Sequence, residues 1–181
     1  NFLYIKALGS PWVQFNGHTL NLSHRQIEIL CILALYPHGI CLEELHYALY
    51  GERSVSLKTL KAELSQLRSL LPHSIEARIY RLSCEVQCDF LRAEQSLNAN
   101  LISSTFSLYK GSFLSKSESP LLSTWRHCFD ARLSQLIYQI KDIDQLLRII
   151  GQTHDRIDAI QRLLELLPQD SAHRNYFSNL I

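Results

Sequence analysis

The chain contains no methionine, and its longest apolar run is only the stretch from Ile29 to Tyr36. A bilayer-spanning helix needs about 20 predominantly apolar residues, so no transmembrane segment is expected. No basic stretch followed by a long apolar one opens the chain, so no secretory signal is expected either. Reading frames begin with methionine. A sequence that starts at Asn1 is therefore expected to be a fragment or excised domain, with room upstream for a sensory domain. Glycine is sparse as well, and no Gly-rich phosphate loop, G-x-S-x-G elbow or H-E-x-x-H pair occurs. Without these frameworks for phosphate, acyl or metal chemistry, an enzyme is not expected, and neither is a cofactor. His38, Cys41 and His46 lie close together, but no fourth ligand follows at zinc-site spacing, so a metal is not expected. Asp142, Asp144, Asp155 and Asp158 read as helix caps and solvated charges rather than as an acid/base pair.

An excess of charge is missing too: the formal net charge is +1. Local balance is less even, with Lys58, Lys61, Arg68, Arg78 and Arg81 set against Glu63 and Glu76 between residues 54 and 81. Local patches matter more than the total for nucleic-acid binding. The cysteines at 31, 41, 84, 88 and 128 are odd in number and scattered. Cys84 and Cys88 lie in a strand-like stretch that holds them roughly 13 Å apart, beyond the limit of about 7 Å between Cα atoms for a disulfide. This usage fits a reduced, cytoplasmic protein.

What is present is periodicity. Residues 2–8 read as a strand, and 12–22 alternate around Asn16-Gly17, a strong hairpin signal because both turn positions need positive φ. Ser23 then caps a helix, with Gln26 as its capping-box partner. Ile27, Leu30, Cys31, Ala34 and Leu35 continue that helix at 3.6-residue spacing as far as Pro37. A second helix is predicted over 42–50, ending at Gly51, and a third over 56–71, ending at Pro72. In the third, Leu57, Leu60, Leu64, Leu67 and Leu71 form one stripe. Residues 75–82 change to strand period and predict a terminal hairpin, with Val86 and Cys88 as candidates to complete it.

From Phe90 onward the pattern is helical. Helices are predicted over 90–99, 101–109, 121–140, 142–150, 156–167 and 170–181, with the Ser-rich stretch 111–120 as a loop. The expected division is residues 1–89 and 90–181. The first is an α+β unit of short strands, three helices and a C-terminal hairpin that closes its own core. The second is an all-α unit of helical hairpins.

Three runs in the first half, L-S-H-R-Q-I-E-I-L at 22–30, C-L-E-E-L at 41–45 and T-L-K-A-E-L-S-Q-L-R at 59–68, resemble the OmpR-type winged helix. More narrowly, they resemble the form found in antibiotic regulatory proteins of Streptomyces. There the winged helix is followed by a bacterial transcriptional activator domain built from tetratricopeptide-like helices. L-Y-K-G-S-F-L at 108–114, with Trp125-Arg126, is similar to the opening of that second domain. Gly151 and Pro168 sit where its repeat carries an inter-helix Gly and a terminal Pro. Two features depart from the family. Its wing commonly has glycine before Tyr-Arg-Leu, where this chain has Arg78 and Ile79. Arg156 stands where the repeat packs a small residue.

The resemblance implies a cytoplasmic transcription regulator, an activator by family habit. Its partners would be double-stranded promoter DNA, together with RNA polymerase or another protomer. A third helix of this kind lies in the major groove, while the wing touches backbone or minor groove. Opposite the leucine stripe stand Lys58, Ala62, Ser65 and Ser69, flanked by Thr59, Lys61, Gln66 and Arg68. Cations suit phosphate and guanine edges, and small residues permit close approach. Arg78 and Arg81 are candidate wing contacts, or equally solvated strand charges. His24 and Arg25 open the first helix within reach of phosphate, although Arg25 can instead meet solvent or Glu28. The backbone N–H groups at 41–43 offer a helix-terminus phosphate site, which Glu43 and Glu44 oppose. The alternative function is a protein-binding winged helix and scaffold without DNA affinity.

Overall fold

The computed structural model describes residues 1–153 and 155–181. Strands β1 (Phe2–Lys6), β2 (Trp12–Phe15) and β3 (His18–Leu20) open the chain. The β2–β3 turn carries positive φ at both Asn16 (48°) and Gly17 (82°), as the Asn-Gly pair requires. Register places Leu3 opposite Phe15 and Ile5 opposite Val13, and all four side chains are buried on one face. Tyr4 and Trp12 share the other face with ring centroids 5.3 Å apart.

Helices α1 (His24–Leu35), α2 (Leu42–Tyr50) and α3 (Leu57–Leu70) come next. Ser23 and Gln26 form the expected reciprocal capping box on α1, and Gly51 ends α2 with positive φ. On α3, Leu60, Leu64 and Leu67 are buried, and Leu71 just beyond the helix is buried too. Leu57 departs from the predicted stripe: it is 39% exposed, because it lies in the first turn beyond the reach of the core.

The segment after α3 differs from the predicted strand pair. Residues 75–82 form a narrow loop pinned by a single antiparallel bridge between Ile75 and Leu82, while Tyr80 bridges to Ile40 ahead of α2. Its turn is held at Arg78, with φ 83°, where glycine would be the less strained residue. Val86 and Cys88 do not complete that hairpin. They belong to β4 (Glu85–Cys88), which runs parallel to β1, and the sheet order is β3-β2-β1-β4.

The remaining helices are α4 (Asp89–Asn98), α5 (Ile102–Leu108), α6 (Pro120–Gln139), α7 (Ile143–Gln152), α8 (Ile157–Leu166) and α9 (Ala172–Ser178), making nine among the described residues. Gly151, expected between helices, instead lies in the last turn of α7. Among the described residues no helix is long and apolar enough to cross a membrane.

One buried apolar cluster runs from Leu3 to Phe177 without a break at residue 89. The 112–114 segment continues the sheet: Leu8 bridges Phe113, and Leu114 N–H donates to the Ala7 carbonyl at 3.1 Å. Phe113 packs against Phe90 and Trp125 at 4.9 and 4.5 Å between centroids, and Trp125 stacks on Phe129. Asp89 closes the joint. Its carboxylate accepts from the N–H groups of Ala7 at 2.8 Å and Leu8 at 3.0 Å. Burial nevertheless holds its pKa above the usual carboxylate range, against the pull of those bonds.

Candidate nucleic-acid interface

The buried leucines fix the rotation of α3, so the opposite face must meet solvent. Lys58, Thr59, Lys61, Ala62, Ser65, Gln66, Arg68 and Ser69 are all exposed there. Ser56 caps the helix by accepting the Lys58 N–H at 3.1 Å. Arg78 is exposed at the tip of the 75–82 loop. Between α3 and this loop lies an open cleft of ≈ 700 Å³, whose lining includes Ser65, Arg68, Ser69, His73 and Glu76. Among the described residues Lys58, Lys61, Arg68 and Arg78 make no ion pair. An exposed cation without a carboxylate partner keeps its charge available to an anionic ligand.

Three of the other sequence candidates are already engaged. Arg81 donates to both oxygens of Glu76, at 2.8 and 2.9 Å, and this pairing raises its pKa. Arg25 lies 2.7 Å from Glu28 and covers the Tyr50 ring at 4.5 Å, while His24 is 3.6 Å from the same carboxylate. Of the readings left open for Arg25, the geometry selects the acidic neighbour. The helix-terminus site at α2 is occupied from within: Cys41 and Glu44 form a capping box in which the Glu44 carboxylate takes the Cys41 N–H. His46, of the His/Cys group, has Nε2 2.6 Å from the Val55 carbonyl and its ring beside Tyr50.

Two features of this region do not show in the sequence pattern. Gln66, by its spacing only a flanking residue, accepts a hydrogen bond from Gln26 Nε2 at 2.9 Å, which ties α3 to the capping box of α1. Glu28, by its type a surface charge, is 2% exposed and accepts a hydrogen bond from Ser117 Oγ. A buried position on an otherwise apolar helix face is the available signal, since a carboxylate there must find a partner.

The helical part holds a second polar node. Arg156 is 7% exposed, donates to Asp158 and Ser134, and lies 3.4 Å from Asp130. A buried cation, neutralised by carboxylates around it, thus stands where the resemblance implies a small residue. Asp155 accepts from Tyr109 Oη at 3.1 Å and from Ser112 N–H at 3.0 Å. Burial beside carboxylates pushes the Tyr109 phenol well up. These acids act as structural partners.

No family model matches the chain. An uncharacterised 47.3 kDa protein in the thcA 5′ region of Rhodococcus erythropolis is 27% identical over 153 residues, covering 84% of this chain and 35% of that protein. Among solved structures, Mycobacterium tuberculosis EmbR in complex with a low-affinity phosphopeptide superposes with a TM-score of 0.56 at 16% identity. That match takes in 98% of this chain and 55% of the EmbR chain. The fold is of the EmbR kind. At this identity the likeness extends to the fold alone, and the chain spans about a third of its curated relative and about half of the structural one.

Proposed function

We propose that this protein is a sequence-specific DNA-binding transcription regulator. In this reading residues 1–89 are a winged helix and 90–181 a tetratricopeptide-like interaction part. The observation that supports it most is the exposed face of α3, which combines cations that make no ion pair among the described residues with small polar residues beside the loop tipped by Arg78. In the proposed complex α3 enters the major groove of promoter DNA, and the 75–82 loop lies on backbone or minor groove. Lys58, Lys61, Arg68 and Arg78 contact phosphate or guanine edges, and Ala62 and Ser65 allow close approach. Arg25, His24 and Arg81 have smaller roles, because carboxylates already hold them.

The helical part is proposed to contact RNA polymerase or another protomer. EmbR has been captured with a phosphopeptide, which supports a peptide or protein partner for this fold. The protein is proposed to work in the cytoplasm, as an activator with no chemistry of its own. The near-neutral charge favours one rival, a protein-binding winged helix without DNA affinity. Fluorescence anisotropy with random-sequence duplex at two salt concentrations separates the two. Binding that weakens as salt rises is the expected result. No binding at low salt would leave the rival standing.

A further inference from the structure

Gln66 is exposed on α3, but one end of its side chain is already committed. The Ser23 N–H donates to Gln26 Oε1 at 3.0 Å. A backbone N–H can only donate, so this bond fixes which end of the Gln26 amide is oxygen. The Gln26 amide nitrogen, on a side chain only 5% exposed, therefore faces α3, where it donates to Gln66 Oε1 at 2.9 Å. An amide whose oxygen is held in this way turns its NH2 outward. Its two N–H donors are then the end of the side chain left free for the proposed groove.

The distinction changes what the residue can read. An unconstrained glutamine pairs with adenine by using both ends, accepting from N6 and donating to N7. With its oxygen held toward Gln26, Gln66 offers its NH2 as the free end. We infer that Gln66 selects a base edge that offers only acceptors, guanine with its N7 and O6 first, and that Gln26 sets this choice without touching DNA. Gln26 is a positioning residue: the bond that starts α1 polarises a side chain on α3. The inference rests on the proposed DNA-binding function.

The test uses the full chain and two variants. Duplexes selected from a random library are sequenced, and anisotropy on single-base variants of the selected site then gives relative affinities at fixed salt. The wild type is expected to favour guanine over adenine at one position by about fivefold or more. Gln66→Ala should abolish that preference while leaving preferences elsewhere in the site intact. Gln26→Glu keeps the capping box, since glutamate serves equally at this position, so the helix start is preserved. Its introduced carboxylate can only accept. Gln66 must then turn its NH2 inward and its oxygen outward, and the preference at the same position should move toward adenine or cytosine, whose exocyclic amines donate.

Retained duplex binding with unchanged preference in Gln66→Ala overturns the inference and leaves the DNA-binding function intact. The same holds if Gln26→Glu keeps guanine, or if the wild type prefers adenine at the position Gln66 controls. No duplex binding by the wild type at low salt sinks the DNA-binding function, and this inference with it.

Discussion

A single residue can be cationic and partly exposed, yet still belong to the fold. Arg25 is such a residue: it sits 2.7 Å from Glu28, which is 2% exposed and also holds Ser117. A buried carboxylate that loses its cation carries a large desolvation penalty. Arg25 is partly exposed, so water screens some of that cost, and Arg25→Ala is expected to destabilise by about 1–3 kcal/mol. Adding Glu28→Gln removes the stranded charge and keeps an acceptor for Ser117, so the double variant should regain part of the loss. Thermal melting checks this; a double variant less stable than Arg25→Ala alone would show that the carboxylate is not the stranded group. Lys58 and Lys61 belong to the opposite case, with no ion-pair partner among the described residues. Lys58→Ala and Lys61→Ala should weaken duplex binding and flatten its salt dependence by up to about one unit of slope each. Their melting temperatures should stay unchanged. Unaltered affinity in the double variant would remove both from the interface.

At the scale of elements, what the sequence made legible is what local chemistry decides. The Asn16-Gly17 turn, the Ser23–Gln26 capping box and the leucine register of α3 from Leu60 onward each depend on residues a few positions apart, and each stands where its spacing placed it. The α3 register gives a contrast within one helix. Leu64→Ala should cost about 2–5 kcal/mol, because it opens a cavity in close packing, whereas Leu57→Ala on the exposed first turn should stay within about 0.5 kcal/mol. Equal destabilisation at both sites would mean that Leu57 is buried after all. Illegible were the pairings between distant segments. Residues 85–88 alternate as a hairpin strand would, and nothing local says that their partner is β1, more than 80 residues earlier and parallel. The serines of 111–120 read as solvent-facing loop, yet Ser117 and Ser119 are buried, the first by Glu28 and the second by donating to the Ala48 carbonyl at 2.7 Å. Polar composition marks a loop but does not say that its hydroxyls are spent on buried acceptors. On α3 the exposed face was legible from the same register as the leucines. The Gln26–Gln66 bond was not, because it spans 40 residues.

For the whole molecule, the halves divided in chain order at residue 89 are joined by every kind of contact that holds a domain together. The 112–114 segment extends the N-terminal sheet through backbone bonds, Phe90 packs on Phe113 and Trp125, and α6 packs on α1 and α2. The expected first half that closes a core of its own therefore gives way to one that shares its buried cluster with the C-terminal helices. Deleting residues 101–181 removes Ser117 from Glu28, the aromatic neighbours of Phe90 and the helix covering α1 and α2, all together. The remaining 1–100 fragment is expected to lose cooperative melting and to bind a hydrophobic dye such as ANS, while the intact chain unfolds in one transition. Circular dichroism and dye fluorescence on the two chains decide it. A fragment that melts sharply at the temperature of the intact chain would show that the first half folds alone. The outcome also governs how loss of DNA binding on truncation can be read. If the fragment is molten, that loss reports folding, and the role of the helical part has to be tested by substitutions on its exposed surface in the full chain.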